Sequence, residues 1–240
     1  MKLVKYFLVL LIPALQVTSA CKKVNVKPVE SGTDSATKVI VVLGASTAVG
    51  WGASTFDSSW VGRLKKRLFT DHKNVKVVNL AIPGITTYQV SPKGNIVPNR
   101  PAPDTSANVD KAIKLKPYLV LINLPSNDIA YGYSDQEIMY NFDFITAALR
   151  NNNIPFILTG TQPRNLAEAA QRMRLKKLNG ELITVYQNKV NDYLDQLSGS
   201  DYSILPVYSA GDGIHLNNNG HRVVYQAFMS HPLFKSLLNY

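Results

Sequence analysis

The sequence predicts an α/β protein, a three-layer α/β/α sandwich built on a five-stranded, mainly parallel sheet. Three observations predict it. From residue 38 onward, short apolar runs of strand length alternate with longer helical patterns. Strands that alternate with helices pair in parallel, because each right-handed crossover carries a helix across the sheet before the next strand begins. At 240 residues the chain is long enough for one sizeable core of this kind and too short for two such domains. Its 45% hydrophobic and 18% charged residues permit a packed interior and exclude a disordered or collagen-like chain.

The first segment stands apart. Met1-Lys2-Leu3-Val4-Lys5 is a basic start, and residues 6–15 form an apolar run of the length expected in a signal peptide, too short to span a bilayer as a helix. Thr18-Ser19-Ala20 then leads into Cys21, the only cysteine. These four residues resemble the lipobox of bacterial lipoproteins, with Thr18 where that motif usually has Leu. The resemblance implies a signal peptide over residues 1–20, lipidation of Cys21 and a membrane anchor; a plain secretory signal cut near Ala20 is the alternative. Both readings export the protein, and an anchored form belongs to the cell envelope, in the periplasm or at the outer membrane. Residues 22–37 are polar, contain Pro, Gly and Ser, and show no hydrophobic period, so they read as a tether. One domain then spans 38–240. A lone cysteine leaves no internal disulfide to support it.

Within the domain the expected strands are residues 39–43, 75–80, 118–124, 154–159 and 202–207. The expected helices lie near 60–69, 109–115, 136–151, 166–197 (with a break in it) and 220–229. The formal net charge of +10 is scattered along the chain. Its longest cluster, Lys65-Lys66-Arg67, falls in an amphipathic helix and reads as a solvated face, so no nucleic-acid partner is expected. In an open parallel sheet the ligand site lies outside the carboxyl ends of the strands. That rule selects the loops 44–54, 81–108, 125–134, 160–164 and 209–219. The second, with Pro92, Pro98, Pro101 and Pro103, is longer than a structureless connection usually is, which points to function.

The first strand runs into Gly44-Ala45-Ser46-Thr47-Ala48-Val49-Gly50, where small residues can turn the chain and leave Ser46 exposed as a nucleophile. The spacing is not that of a phosphate-binding loop, since Trp51 follows Gly50 and no GxGxxG is present. Nor is it the GxSxG elbow, since Ala48 stands where that motif has Gly. A serine hydroxyl is a weak nucleophile until a histidine takes its proton, and that imidazole needs a carboxylate to set its tautomer. Asp212 and His215, together in the last loop, can supply both. A tetrahedral intermediate also needs donors for its oxyanion. Gly84, ending Asn79-Leu80-Ala81-Ile82-Pro83-Gly84, offers a backbone N–H; Asn127, in Pro125-Ser126-Asn127-Asp128, offers a side-chain amide; and Ser46 offers its own N–H.

Together these residues resemble the SGNH hydrolases, also called GDSL-type lipases and esterases. GAST at 44–47, NLAIPG at 79–84, PSND at 125–128 and DGIH at 212–215 follow one another like that family's GDS, glycine, GxND and DxxH blocks. The resemblance implies a flavodoxin-like fold and a carboxylic ester hydrolase that uses no cofactor. It implies an acyl-enzyme on Ser46, a triad completed by Asp212 and His215, and an oxyanion hole made by Ser46, Gly84 and Asn127. Two positions depart from the family pattern, Ala45 in place of Asp and Pro125 in place of Gly, and they touch specificity rather than the reacting groups. Asp128 reads as support for its loop.

Polar loops, with Gln162 and Arg164 as candidate substrate ligands, favour a short-acyl esterase of the carbohydrate O-acetyl type. A lipase or lysophospholipase is the alternative, with Trp51, Tyr88, Tyr131 and Tyr133 lining an acyl channel, and a non-catalytic glycan-binding lipoprotein is a third reading. His72, His221 and His231 read as structural or surface residues. No metal site is indicated, because cysteine ligands are absent and His215 and His221 lack companions of other ligand types.

Overall fold

The computed structural model describes residues 37–71 and 74–240. The expected signal peptide, Cys21, nearly all of the tether, and His72 lie outside them. The first half of the domain runs β1 (Lys38–Gly44), α1 (Ser46–Val49), α2 (Trp60–Asp71), β2 (Val75–Asn79), α3 (Thr87–Val90), α4 (Val109–Lys114), β3 (Leu119–Asn123) and α5 (Ser126–Ala130). It continues through α6 (Asp135–Asn151), β4 (Phe156–Thr159), α7 (Ala169–Tyr186), β5 (Val190–Asn191), α8 (Leu194–Leu197), α9 (Asn218–Ser230) and α10 (Pro232–Leu238). The five strands form one sheet in the order β2-β1-β3-β4-β5, and every neighbouring pair is parallel.

The strand residues show why there are three layers. Successive side chains on a strand point to opposite faces, and both faces here are apolar. Val41, Leu43, Val120, Ile122, Phe156 and Leu158 enter one core with Ile138, Phe142, Ile145 and Leu149 of α6 and Leu175, Leu178 and Leu182 of α7. Ile40, Val42, Leu119, Leu121 and Ile157 enter the other with Trp60, Leu64 and Leu68 of α2, Val224 and Phe228 of α9, and Phe234 of α10. Trp60 stacks on Phe228 at 4.8 Å between ring centroids, which ties α2 to α9. Lys65, Lys66 and Arg67 take the solvent side of α2. The start of α6 is fixed by a capping box in which Ser134 and Glu137 satisfy each other's backbone N–H groups.

One strand is not where the sequence suggested. The fifth strand is Val190–Asn191, inside the expected helix 166–197, while residues 202–207 form only a single antiparallel bridge, Ser198 to Ile204, and the beginning of a 3-10 turn over Pro206–Tyr208. Two local causes account for this. Tyr202 has φ of 61°, outside extended geometry, and Pro206 has no N–H to give to a ladder. The long helical pattern ends at Gln187, whose φ is 50°, and the chain then drops into the sheet.

The long 81–108 segment carries structure of its own. Gln89 accepts from the Thr86 N–H at 3.0 Å to start α3, and Arg100 is ion-paired with Glu137 of α6 at 2.6 Å. The reversal of chain order between β1 and β3 leaves a crevice at the carboxyl ends of those strands, where open α/β sheets bind their ligands.

Candidate active site

β1 and β3 converge where Gly44 meets Asn123. A Cβ on Gly44 would stand 2.8 Å from the Asn123 carbonyl oxygen, so only glycine allows this approach. The chain turns immediately afterwards, and Ser46 becomes the first residue of α1, where a backbone N–H has no intrahelical partner. Asn79, at the end of β2, holds the other end of α1 through its side-chain N–H to the Ala48 carbonyl at 2.8 Å.

The last loop brings its two residues to Ser46. His215 Nε2 lies 2.9 Å from Ser46 Oγ, and His215 Nδ1 lies 2.6 Å from Asp212 Oδ2. An ionised carboxylate can only accept, so Nδ1 carries the ring proton and Nε2 is left to accept from the serine hydroxyl. The other Asp212 oxygen accepts from the backbone N–H groups of Ile214 and His215 at 2.9 and 2.8 Å. Partial burial pushes this carboxyl up, but those two N–H groups and the imidazole outweigh it and hold its pKa at about 2. Trp51 closes one side, its ring edge-on to His215 at 5.5 Å.

Asn127, just after β3, lines the site with Ser46, and Gly84 lies in the segment after β2. The N–H of Ile82 donates to the Gly44 carbonyl at 3.0 Å, which extends the β1–β2 pairing to two residues before Gly84. Gly84 has φ of 77°, and an added Cβ would meet only the Tyr131 hydroxyl at 3.9 Å, so backbone conformation rather than space demands glycine there. Asn127 donates one side-chain N–H to the Ile85 carbonyl at 3.0 Å and accepts at Oδ1 from Arg164 Nη1 at 2.9 Å. These two partners fix the amide's orientation and leave its second N–H free for a ligand. The peptide before Pro125 is cis.

A cavity of about 30 Å³ adjoins the nucleophile. It is lined by Ser46, Thr47, Asn123, Asn127, Gln162 and Arg164, with Ala45, Leu124, Ser126 and Ile214 completing the wall. Gly84 is not part of this lining; it sits one residue from Ile85, which Asn127 grips. Asn123 donates to the hydroxyls of Tyr193 and Thr159 at 2.9 and 3.2 Å. Gln162 holds the last loop: its side-chain N–H donates to the Ile214 carbonyl at 3.0 Å. Arg164 is half-buried, and that burial lowers its pKa.

Of the aromatic residues proposed for an acyl channel, Tyr88 is buried with its hydroxyl on Glu137 at 2.8 Å, Tyr133 packs edge-on against it, and Trp51 and Tyr131 are exposed. His221 and His231 are both buried. His221 accepts from the Trp60 N–H and donates to the Trp51 carbonyl at 2.9 Å, so it fastens the nucleophile loop to α9. Burial drives its pKa down to about 4. Among the described residues no group of three or more His, Cys, Asp or Glu could hold a metal ion.

Asp128 is a supporting residue whose surroundings the sequence did not reveal. It is fully buried and accepts from the Thr87 hydroxyl at 2.5 Å and the Thr87 N–H at 3.0 Å. Asn141 donates to Thr87 Oγ1, and Asn95 donates to Asn141, each at 2.9 Å. This chain of bonds runs from the segment next to Asn127 to the segment that carries Gly84.

Residues 42–223 match the sequence profile of the GDSL-like lipase/acylhydrolase family. The chain belongs to that family. No curated protein matches this GDSL-like hydrolase in sequence, but its fold recurs in several solved structures. TesA is 20% identical, with a TM-score of 0.62 over 83% of this chain and 99% of TesA. The psychrotrophic esterase EstA from Pseudoalteromonas sp. is 18% identical, with a TM-score of 0.58 over 85% of this chain and all of its own. A carbohydrate acetylesterase family member from Sinorhizobium meliloti is 16% identical, with a TM-score of 0.56 over 85% of this chain and 100% of that one. Family membership makes the protein a carboxylic ester hydrolase.

Proposed function

We propose that this hydrolase removes short acyl groups, of the carbohydrate O-acetyl type, through an acyl-enzyme on Ser46. The observation that carries the proposal is the cavity of about 30 Å³ beside Ser46 and Asn127. That small space, lined largely by polar side chains, favours a short acyl group, while Tyr88, a candidate for an acyl channel, is engaged with Glu137. The carbohydrate acetylesterase family member among the structural neighbours has the same fold.

The chemistry follows from the bonds described. Ser46 Oγ attacks the acyl carbon as its proton passes to His215 Nε2, and Asp212 stabilises the imidazolium that forms. The carbonyl oxygen becomes an oxyanion facing the N–H groups of Ser46 and Gly84 and the free N–H of Asn127, donors fixed before the charge appears. His215 returns the proton to the departing alcohol. Water then attacks the acyl-enzyme with His215 as base, which releases the carboxylic acid and restores Ser46. The cell envelope is the proposed location, with Cys21 as the lipid-bearing residue.

Hydrolysis of nitrophenyl acetate against nitrophenyl decanoate tests the acyl preference. Faster cleavage of acetate is expected, and equal or faster cleavage of decanoate overturns it. Labelling with a fluorophosphonate, followed by mass spectrometry, is expected to place the adduct on Ser46; an adduct elsewhere refutes the assigned nucleophile. Metabolic incorporation of an alkynyl fatty acid that persists in Cys21→Ser would refute the anchor.

A further inference from the structure

The loop after β4 reads Gly160-Thr161-Gln162-Pro163-Arg164-Asn165, and its other polar side chains have structural work. Thr161 donates to the Leu175 carbonyl at 2.8 Å, Gln162 holds Ile214, and Asn165 accepts from the Ile204 N–H at 2.8 Å. Arg164 differs. One of its five N–H groups meets Asn127 Oδ1, and no carboxylate lies within ion-pair distance of its guanidinium among the described residues. Arg100, Arg172 and Arg174 each face one, in Glu137, Asp201 and Asp135. The carboxylate of the triad, engaged by His215 and Ile214, acts on Arg164 only through space, from beyond ion-pair distance.

A half-buried cation with no carboxylate in contact is costly, and a neutral amide donor could bond to Asn127 Oδ1 without that cost. The charge therefore calls for a second role. Arg164 lines the same cavity as Ser46, so an anion that met its remaining N–H groups would sit beside the scissile bond. A guanidinium suits a planar carboxylate, which it can grip with two parallel N–H bonds.

We infer that Arg164 is the anion-binding residue of the substrate site, and that the natural ester carries a carboxylate close to the bond that is cleaved. This rests on the short-acyl proposal and narrows it to acidic substrates. The carboxylate can belong to the acyl half, as in a hemisuccinate, or to the alcohol half, as in an O-acetylated uronic acid.

The test compares matched neutral and anionic esters on the full protein: nitrophenyl acetate with nitrophenyl hemisuccinate, and acetylated galactose with acetylated galacturonate. In one of the pairs the anionic member is expected to have a kcat/KM about ten- to a hundredfold higher, the size of a charged hydrogen bond. The pair that shows it identifies which half carries the charge. Arg164→Gln and Arg164→Met are expected to slow both members through Asn127 and, in addition, to abolish the preference. Arg164→Lys retains part of it, and added salt weakens it in the wild type.

Loss of activity by the same factor on neutral and anionic esters would overturn the inference and leave Arg164 acting only through Asn127. So would the absence of any anionic preference in the wild type. Decanoate outrunning acetate on neutral nitrophenyl esters is a separate result that strikes the short-acyl proposal alone.

Discussion

Two aspartates flank the site, and their surroundings are opposite. Asp212 is nearly half-exposed, surrounded by N–H donors and held at a pKa of about 2, whereas Asp128 is sealed in the core and raised to about 7 by burial, against the pull of its Thr87 bonds. The comparison separates two tasks. The carboxylate beside His215 has to remain charged through the proton transfer, and solvent with three donors keeps it so. The one beside Asn127 has only to hold two segments together, and it does so by accepting hydrogen bonds in a place hostile to its charge.

The largest effects should come from the exposed arm. Ser46→Ala is expected to lower kcat by about 10⁴-fold or more with the fold intact, as measured by ester hydrolysis alongside thermal unfolding. Asp212→Asn, which leaves the imidazole without an anionic partner, is expected to lower kcat by about 10²- to 10⁴-fold with KM little changed. Asp128→Asn should lower kcat by about tenfold or less. A loss at position 128 equal to that at 212 would break the contrast.

A stability measurement sharpens the same contrast. Asp128 has a folded pKa of about 7 against an ordinary value of 3.8, so its folded form binds the extra proton and stability declines as pH rises through that interval. His221 works the other way. Its pKa falls from 6.5 to about 4 on folding, so stability is full above 6.5 and is lost as pH drops. Asp128 contributes about 4 kcal/mol and His221 about 3 kcal/mol, and between about pH 4 and about pH 6.5 the two slopes oppose each other. Asp128→Asn removes one of them. In urea unfolding its stability relative to the wild type should rise with pH over that range, and a constant difference would argue against a protonated Asp128. The smallest effect expected is that of Trp51→Ala, which removes an exposed ring edge-on to His215 and should change KM by about three- to tenfold.

Much of this was legible in the sequence because the functional blocks fall directly after strands with strong apolar runs. Ser46 follows β1, Asn127 follows β3, and the Asp212–His215 pair needs only one loop to bring its members together. The supporting residues were less legible. Asp128 finds Thr87, Asn123 finds Tyr193, and His221 finds Trp51, all across long sequence separations. Residue type alone cannot announce such pairings. The fifth strand was misplaced for a related reason: two residues carry no period, and their pairing with β4 is a tertiary choice rather than a local one.

The brevity of β5 bears on how the sheet meets other chains. An edge strand is a row of unpaired N–H and C=O groups that invites another strand, and natural sheets commonly protect themselves by making that row short. With two residues, β5 provides almost nothing to extend. β2, at the opposite edge, is five residues long with Lys76 exposed upon it. Any strand that joined this sheet would have to do so there, beside a lysine that disfavours the approach.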